Sequence, residues 1–373
     1  MQEQQSESQT SDEVGEAISF EDLKIERSME LQYANQFQVD YYESGYALIT
    51  IEDSGSFLMI PKGMQTPQNV PEQITILKQP ENIYLLSTSV MDLFRAIDGL
   101  DCIKLTGTKE SDWYIEEARA AMESGDMVYA GKYNAPDYEL ILSKKCDLAL
   151  ENTMILHNPE VKEQLEHLGI PVIIERSSYE GHPLGRMEWV KLYGVLLGKE
   201  QEAEAFFDEQ LAHLNETIAN EEEKNDVTGG EKKTVAFFYI TSNGAVNVRK
   251  SGDYVSKMID MAGGEYVFRD LVDEEENALS TMRIQMEAFY AGAKDADYLI
   301  YNSTIDGEIK NLDMLIQKSE LLKDFKAVKN GNVWCTEKSM FQESTGIAEF
   351  IVDMHRMMYE ENPEDLQYMF QLK

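Results

Sequence analysis

Cysteine is scarce in this chain: there are three in 373 residues, Cys102, Cys146 and Cys335. They lie far apart, form no C-x-x-C pair and have no histidine at zinc spacing, so a structural metal staple is disfavoured. Cys102 and Cys146 fall in or beside strand-like segments, where a free thiol serves as a small buried hydrophobe. No apolar run approaches the roughly 20 residues that span a bilayer. Basic residues are also short, 33 Lys and Arg against 69 Asp and Glu, which leaves a formal net charge of -36. Nucleic acid is therefore not an expected partner, because neutralising phosphates takes clustered Lys and Arg. Anionic membrane surfaces repel such a chain, and solubility is the plainer reason for so much acid. G-x-S-x-G, P-loop, Rossmann G-x-G-x-x-G and H-E-x-x-H motifs are all missing, which weakens enzymatic readings. The helical stretch between the two halves of the chain holds no flexible Gly/Ser or Pro-rich linker either.

Hydrophobic residues make up 43% and aromatics 10%, a composition that builds packed cores. Residues 1–22 open with MQEQQSESQTSDEVGEAI, polar, acidic and without a signal-peptide apolar stretch, and read as a disordered tether. That leaves two addresses open, the cytosol or the outside after processing. From Leu23 to Pro61 apolar and polar residues alternate between the turn signals Glu43-Ser44-Gly45 and Asp53-Ser54-Gly55, predicting an antiparallel meander. Pro67 to Pro80 reads as an irregular connection. Short β-rich runs beginning at Ile83, Cys102, Met127, Leu148 and Ile170 then alternate with helical runs, which implies right-handed βαβ crossovers and a mainly parallel sheet. The alternation restarts at Thr234 and includes one helix expected over Leu312 to Ala327 and a final one from Ile347 to Tyr359. An internal echo pairs Glu139…Lys145-Cys-Asp-Leu-Ala-Leu150 with Glu287…Lys294-Asp-Ala-Asp-Tyr-Leu-Ile300, so one α/β unit is present twice.

Between the two halves, Ser177 to about Thr217 is almost wholly helical. The expected architecture is α/β: two Rossmann-like lobes with mainly parallel sheets, joined by a long rigid helix, with a ligand cleft between them. The boundaries are 23–176 for the N-terminal lobe with its meander, 177–225 for the bridge and 226–373 for the C-terminal lobe.

The order of elements, with Pro171-Val-Ile leading into Arg186-Met-Glu-Trp and Gly194-Val-Leu-Leu-Gly198-Lys-Glu, resembles the helical-backbone class of ABC-transporter solute-binding proteins, over roughly Glu81 to Tyr359. The resemblance implies a monomeric, non-enzymatic carrier of a metal chelate (iron–siderophore first, haem or corrinoid as alternatives). It implies no resident cofactor, iron or cobalt arriving only within the ligand, and delivery to a membrane permease. Family members dock through one acid at the tip of each lobe; Glu160, after Asn158-Pro159, matches the first, and Glu343, or Gln342 beside it, the second. Gram-positive members carry a lipidated cysteine before a polar tether, so the address implied is the outer face of the membrane, lipid-anchored, or the periplasm.

Ligands in such sheets bind beyond the strand C-termini. Those ends and the start of the bridge supply candidates: Ser87 and Thr88, Thr108 and Lys109, Tyr133 and Asn134, then Asn152 in the first lobe. Tyr179, His182 and Arg186 stand at the bridge. The second lobe offers Tyr239, Thr241, Asn243, Arg249 and Ser303, with Phe341 on a loop that would roof the gap. Aromatics stack on planar ligands and hydroxyls orient polar edges. Arg186 and Arg249 match carboxylate geometry, although Arg186 has Glu180 and Glu188 as rival partners. In a haem carrier His182 would ligate the iron; in a chelatase-like alternative it is an acid/base paired with Glu180. Trp113 and Tyr114 are further aromatics, with core packing the commoner use of such residues.

Overall fold

The computed structural model describes residues 18–225, 232–271, 281–305, 309–360 and 363–373. The expected tether lies outside the described residues up to residue 17. Residues 18–22 correct the rest of it. Ser19 bridges Gln68, and the Phe20 ring packs edge-on to Tyr42 at 6.4 Å between centroids, because these apolar side chains cover one face of the first sheet.

That first sheet has five strands in order: β1 (Ile25–Ser28), β2 (Phe37–Tyr42), β3 (Ala47–Ile51), β4 (Gly55–Ile60) and β5 (Ile74–Lys78). The meander is as expected, but β5 replaces the irregular connection. It pairs parallel to β4 because Ile74, Ile76 and Leu77 extend the two apolar faces of the sheet.

Lobe 1 is an all-parallel sheet in the order β12-β11-β6-β7-β8, from β6 (Ile83–Leu85), β7 (Ile103–Thr106), β8 (Val128–Tyr129), β11 (Leu148–Glu151) and β12 (Val172–Ile174). A small hairpin, β9 (Gly131–Lys132) and β10 (Ala135–Pro136), follows β8. Its helices are α1 (Thr88–Ala96), α2 (Glu116–Ser124), α3 (Tyr138–Ser143) and α4 (Pro159–His167). Asp137 caps α3 by accepting the Leu140 N–H at 3.0 Å, and Pro159 opens α4 where its missing donor costs nothing.

The bridge is three helices instead of one: α5 (Pro183–Glu188), α6 (Val190–Leu197) and α7 (Glu200–Asn225). Gly198, at φ 66°, turns α6 into α7, a left-handed position that glycine adopts without a Cβ penalty. Every residue of α6 is buried, and the helix packs against α7 and against α1 of lobe 1.

Lobe 2 holds β13 (Thr234–Ile240), β14 (Val246–Arg249), β15 (Glu265–Tyr266), β16 (Thr281–Ile284), β17 (Tyr298–Tyr301), β18 (Val333–Thr336) and β19 (Met369–Gln371). The order is β16-β14-β13-β17-β18-β19, with β15 on β13. This sheet is mixed: β15, β13, β17 and β18 run parallel, whereas β14, β16 and β19 pair antiparallel. Its helices are α8 (Tyr254–Met261), α9 (Met286–Ala293), α10 (Leu312–Lys318), α11 (Lys326–Asn330) and α12 (Ile347–Tyr359). The single helix expected over Leu312 to Ala327 breaks at Ser319 and Phe325, both extended, which lets Leu322 and Phe325 reach the core.

The internal echo has a structural counterpart. Asp147 accepts the N–H groups of Glu81 and Asn82, just ahead of β6, at 2.9 and 3.0 Å. Asp297 accepts that of Thr234, the first residue of β13, at 2.9 Å. Beyond the matching strands, Asn152 caps the Met154 N–H at 3.0 Å and Asn302 that of Thr304 at 3.1 Å. Burial, meanwhile, pushes the thiols of Cys102 and Cys146 up to about 12, so both behave as the inert small hydrophobes expected.

Candidate functional site

The lobes face each other across two adjoining cavities, of about 320 Å3 and about 530 Å3. In the smaller, lobe 1 supplies Thr88 and Ser89 at the start of α1, and the bridge supplies Ser178 and Arg186. Lobe 2 supplies Arg249, Tyr254 and the segment from Met340 to Ile347. Strand β14 ends on Arg249, which pairs with Thr281 of β16 and is buried. Asp253 caps α8 through the Val255 N–H at 2.9 Å and so fixes Tyr254 beside it.

The two arginines are held differently. The Arg186 guanidinium lies over the Tyr254 ring at 3.6 Å, and its Nη2 donates to the Ser178 carbonyl at 2.5 Å. Burial, with Arg249 nearby, pulls Arg186 below its ordinary value; Tyr254, Asp253 and Glu175 oppose this. Arg249 sits 5.2 Å from the Phe341 ring centroid and 3.6 Å from Asp253. Two cations against two aromatic faces in a mostly apolar chamber suit an anion with a flat or apolar body. Behind them, Glu175 is wholly buried and accepts the Ser177 N–H at 2.6 Å and the Ser87 hydroxyl at 3.1 Å. Burial raises its pKa, with these donors and Arg186 pulling the other way.

Of the residues expected at the cleft, Thr88, Arg186, Arg249 and Phe341 meet in the smaller cavity, and Ser87 stands directly behind it. Ser303 lines the larger one, with Tyr114 and Lys338. The others line neither. Thr108 and Lys109 lie beyond β7, where the Thr108 N–H bonds the Thr106 hydroxyl at 3.2 Å. Tyr133 packs on the lobe 1 core and Asn134 is exposed in the small hairpin. Asn152 is a turn cap. Tyr179 is exposed beneath the Arg176 guanidinium, 4.3 Å away. Tyr239 packs on the lobe 2 core, while Thr241 and Asn243 bond each other inside the turn between β13 and β14. The sequence reading did not foresee that hairpin. Trp113 is core, 2% exposed.

His182 is also displaced from the role considered for it. Its Nδ1 accepts the Leu184 N–H at 3.2 Å, capping α5, and its ring stacks on Tyr33 at 4.6 Å. Burial lowers its pKa, with Lys257 acting in the same direction, so the neutral cap is favoured. The Glu180 carboxylate bonds Asn35, Gln36 and Trp189 rather than His182. Nor does Glu180 or Glu188 pair with Arg186 through its carboxylate; Glu180 instead accepts from Arg186 Nε through its backbone carbonyl, at 3.4 Å.

Glu343 was expected at a lobe tip. It lines both cavities instead, half-buried, with burial raising its pKa and Ser339 bonded to it. Gln342 beside it accepts the Tyr114 N–H and donates to the Asp112 carbonyl, both at 2.8 Å. This stretch belongs to the seam between the lobes because 3-10 turns over Lys338–Phe341 and Ser344–Gly346 fold it back over the gap. Tyr254, Ser344 and Tyr368 were missed as lining residues. The N-cap aspartate ahead of Tyr254 was the one local signal, since Tyr368 arrives from the C-terminal tail.

Two α/β lobes on a helical bridge, with a cleft between them, define a solute-binding protein. Residues 83–339 match the profile of the family described as Periplasmic binding protein, and the chain belongs to that family. An uncharacterised lipoprotein of Methanocaldococcus jannaschii is 25% identical over 341 residues, covering 84% of this chain and 77% of the relative. Among solved structures, a periplasmic haem-binding protein from Pseudomonas aeruginosa superposes with a TM-score of 0.60 at 15% identity, covering 79% of this chain and 98% of that one. A component of an ABC-type Fe3+-hydroxamate transport system from Saccharomonospora viridis gives 0.54 at 18% identity, covering 74% and 93%. These likenesses establish the fold.

Proposed function

We propose that this protein is the solute receptor of an ABC importer, carrying an anionic metal chelate of the iron–siderophore class to a membrane permease. The observation that carries the reading is the convergence of Arg186 and Arg249, from the bridge and from lobe 2, on one chamber faced by Tyr254 and Phe341. Charge-assisted hydrogen bonds from arginine are strong and directional, so paired guanidinium groups favour ligands with carboxylate or catecholate oxygens. The protein holds its ligand without chemistry, acts as a monomer and works outside the membrane, tethered by lipid or free in a periplasm. The relatives named as lipoproteins support that address.

Permease docking requires an exposed acid at equivalent places on both lobes. Glu160 is exposed, but the matching part of lobe 2 starts α11 with Phe325 and Lys326, and Glu343 is in the seam. The internal repeat offers a better pair. Glu139 in the first turn of α3 and Glu287 in the first turn of α9 are both exposed and occupy the same place in the repeated unit. We assign docking to them.

A thermal-shift screen with a ferric hydroxamate, a ferric catecholate, haemin and cobinamide tests the ligand class, because binding to the native state raises the melting point. A shift with a ferric siderophore that disappears in Arg249→Ala supports the reading. A shift with haemin or cobinamide alone, or with none of the four, refutes it.

A further inference from the structure

The N-terminal sheet lies outside residues 83–339 that match the family, and its contacts give it a task. Between β1 and β2 the chain turns five consecutive backbone N–H groups onto two carboxylates of the bridge. Gln32 donates to Glu188 at 2.9 Å, and Tyr33 and Ala34 donate to it at 2.8 Å. Asn35 and Gln36 donate to Glu180 at 3.0 Å. Trp189 Nε1 adds a bond to Glu180 at 2.9 Å, and Lys191 Nζ one to Glu188 at 3.0 Å. The two glutamates are 1% and 0% exposed. Buried carboxylates are costly unless such donors surround them, and removing the donors leaves a charge stranded. The approach is close enough that a Cβ on Gly185 would stand 2.9 Å from the Tyr33 carbonyl oxygen.

The same module also grips lobe 1. Asp53 pairs with Arg176 at 3.0 Å, Gln36 accepts from Arg176 Nε at 3.2 Å, and Ser54 accepts the Ile174 N–H at 2.8 Å. It therefore holds the chain on both sides of the crossing from β12 to α5. On its other side α5 carries Arg186 into the cleft.

We propose that the N-terminal sheet is a splint fusing lobe 1 to α5, and that Glu180 and Glu188 are the positioning residues through which it sets Arg186 in the cleft wall. Arg186 then moves with lobe 1, whereas Tyr254 and Arg249 move with lobe 2. The stacking of Arg186 on Tyr254 is a contact made when the lobes close. The purpose of this arrangement rests on the cleft being the ligand site, but the geometry is tested without any ligand.

Phenylglyoxal modification of the full chain, read at Arg186 by peptide mass spectrometry, is the experiment. Glu188→Gln and Glu180→Gln should speed modification of Arg186 about tenfold, in keeping with the loss of charged hydrogen bonds, and leave Arg249 unchanged. Gly185→Ala, which presses on Tyr33 with both carboxylates in place, should do the same and covers the case of a glutamate variant that fails to fold. Ile49→Val, in the core of the same sheet, is compared at the same interval below its own melting point and should leave the Arg186 rate unaltered. An unchanged rate in the glutamate and glycine variants that fold, or an equal rise in Ile49→Val, would overturn the proposal. A ligand screen without a positive would leave this result standing, so the two readings fail separately.

Discussion

The backbone N–H of Thr345 in lobe 2 donates to the Asp92 carboxylate of lobe 1 at 2.8 Å, and the Thr345 hydroxyl reaches the same oxygen. Asp92 is fully buried and is held from its own side by Arg95 at 2.6 Å. One residue earlier, the Ser344 hydroxyl donates to the Ser89 carbonyl at 2.8 Å. The two lobes are thus latched across the cleft by a short segment that also walls the ligand chamber. A hydroxyl given to a buried charged acceptor contributes about 1.5–3 kcal/mol. Thr345→Val should therefore shift the free protein toward an open form, seen as a larger radius of gyration in small-angle scattering. No change in scattering would mean that the latch does not hold the lobes together.

The arginine pair makes a separate demand. Arg186→Ala and Arg249→Ala should each weaken binding of a ferric siderophore by about 1.5–3 kcal/mol, the worth of a hydrogen bond to a charged group. Arg186→Lys should rescue little, because a point charge reproduces neither the fork geometry nor the stacking on Tyr254. Titration calorimetry of the three variants reads the result.

Stability should depend on pH through two buried acids. Burial raises Glu151 to about 8 and Asp353 to about 7, from 4.5 and 3.8. Neither Glu151 oxygen has a hydrogen-bond partner among the described residues, whereas Asp353 accepts the Tyr368 N–H at 2.7 Å. The folded state binds these protons more tightly than the unfolded one. The stabilisation is therefore complete below the unfolded values and is lost as pH rises through about 7 and about 8. Glu151→Gln should remove about half of that fall in a series of melting curves taken across this range, Asp353 supplying the rest. A wild-type melting point that climbs over the same window would contradict the assignment.

Docking is tested in a transport assay. Glu139→Lys with Glu287→Lys should abolish uptake and leave affinity for the ligand intact, while Glu160→Lys should change neither. Loss of affinity in the double variant would remove these acids from the docking role.

Local pattern made the architecture legible. Alternating apolar residues marked the meander, β-rich runs spaced by helices marked both lobes, and a linker-free helical stretch marked the bridge. The echo around Asp147 and Asp297 was visible as well, because each aspartate has a fixed local task, receiving the backbone of the neighbouring strand. Glycine punctuation was less legible. Gly198 lies in the quoted bridge motif, yet its turn, which makes three helices of one, shows only once α6 and α7 pack together. Strands β16 and β19 were missed because each owes its place to a partner distant in sequence, whereas β14 is the second arm of a hairpin with β13 whose turn was read as a strand end.

Site membership was legible only in part, for a reason of the same kind. Arg186 and Arg249 carry long charged side chains that project from an element end wherever it lies, so residue type pointed to them. Tyr254, Ser344 and Tyr368 reach the chamber because three separate segments converge there, and nothing in their neighbours announces it. His182 and Glu180 read as reactive groups, but tertiary contacts gave one a helix to cap and the other a loop to hold. The sequence by itself determined what can be buried and how often the chain turns. Tertiary structure decided which polar groups are spent inside and which remain for a ligand, because hydrogen-bond partners far apart in the chain are matched only when the chain closes on itself.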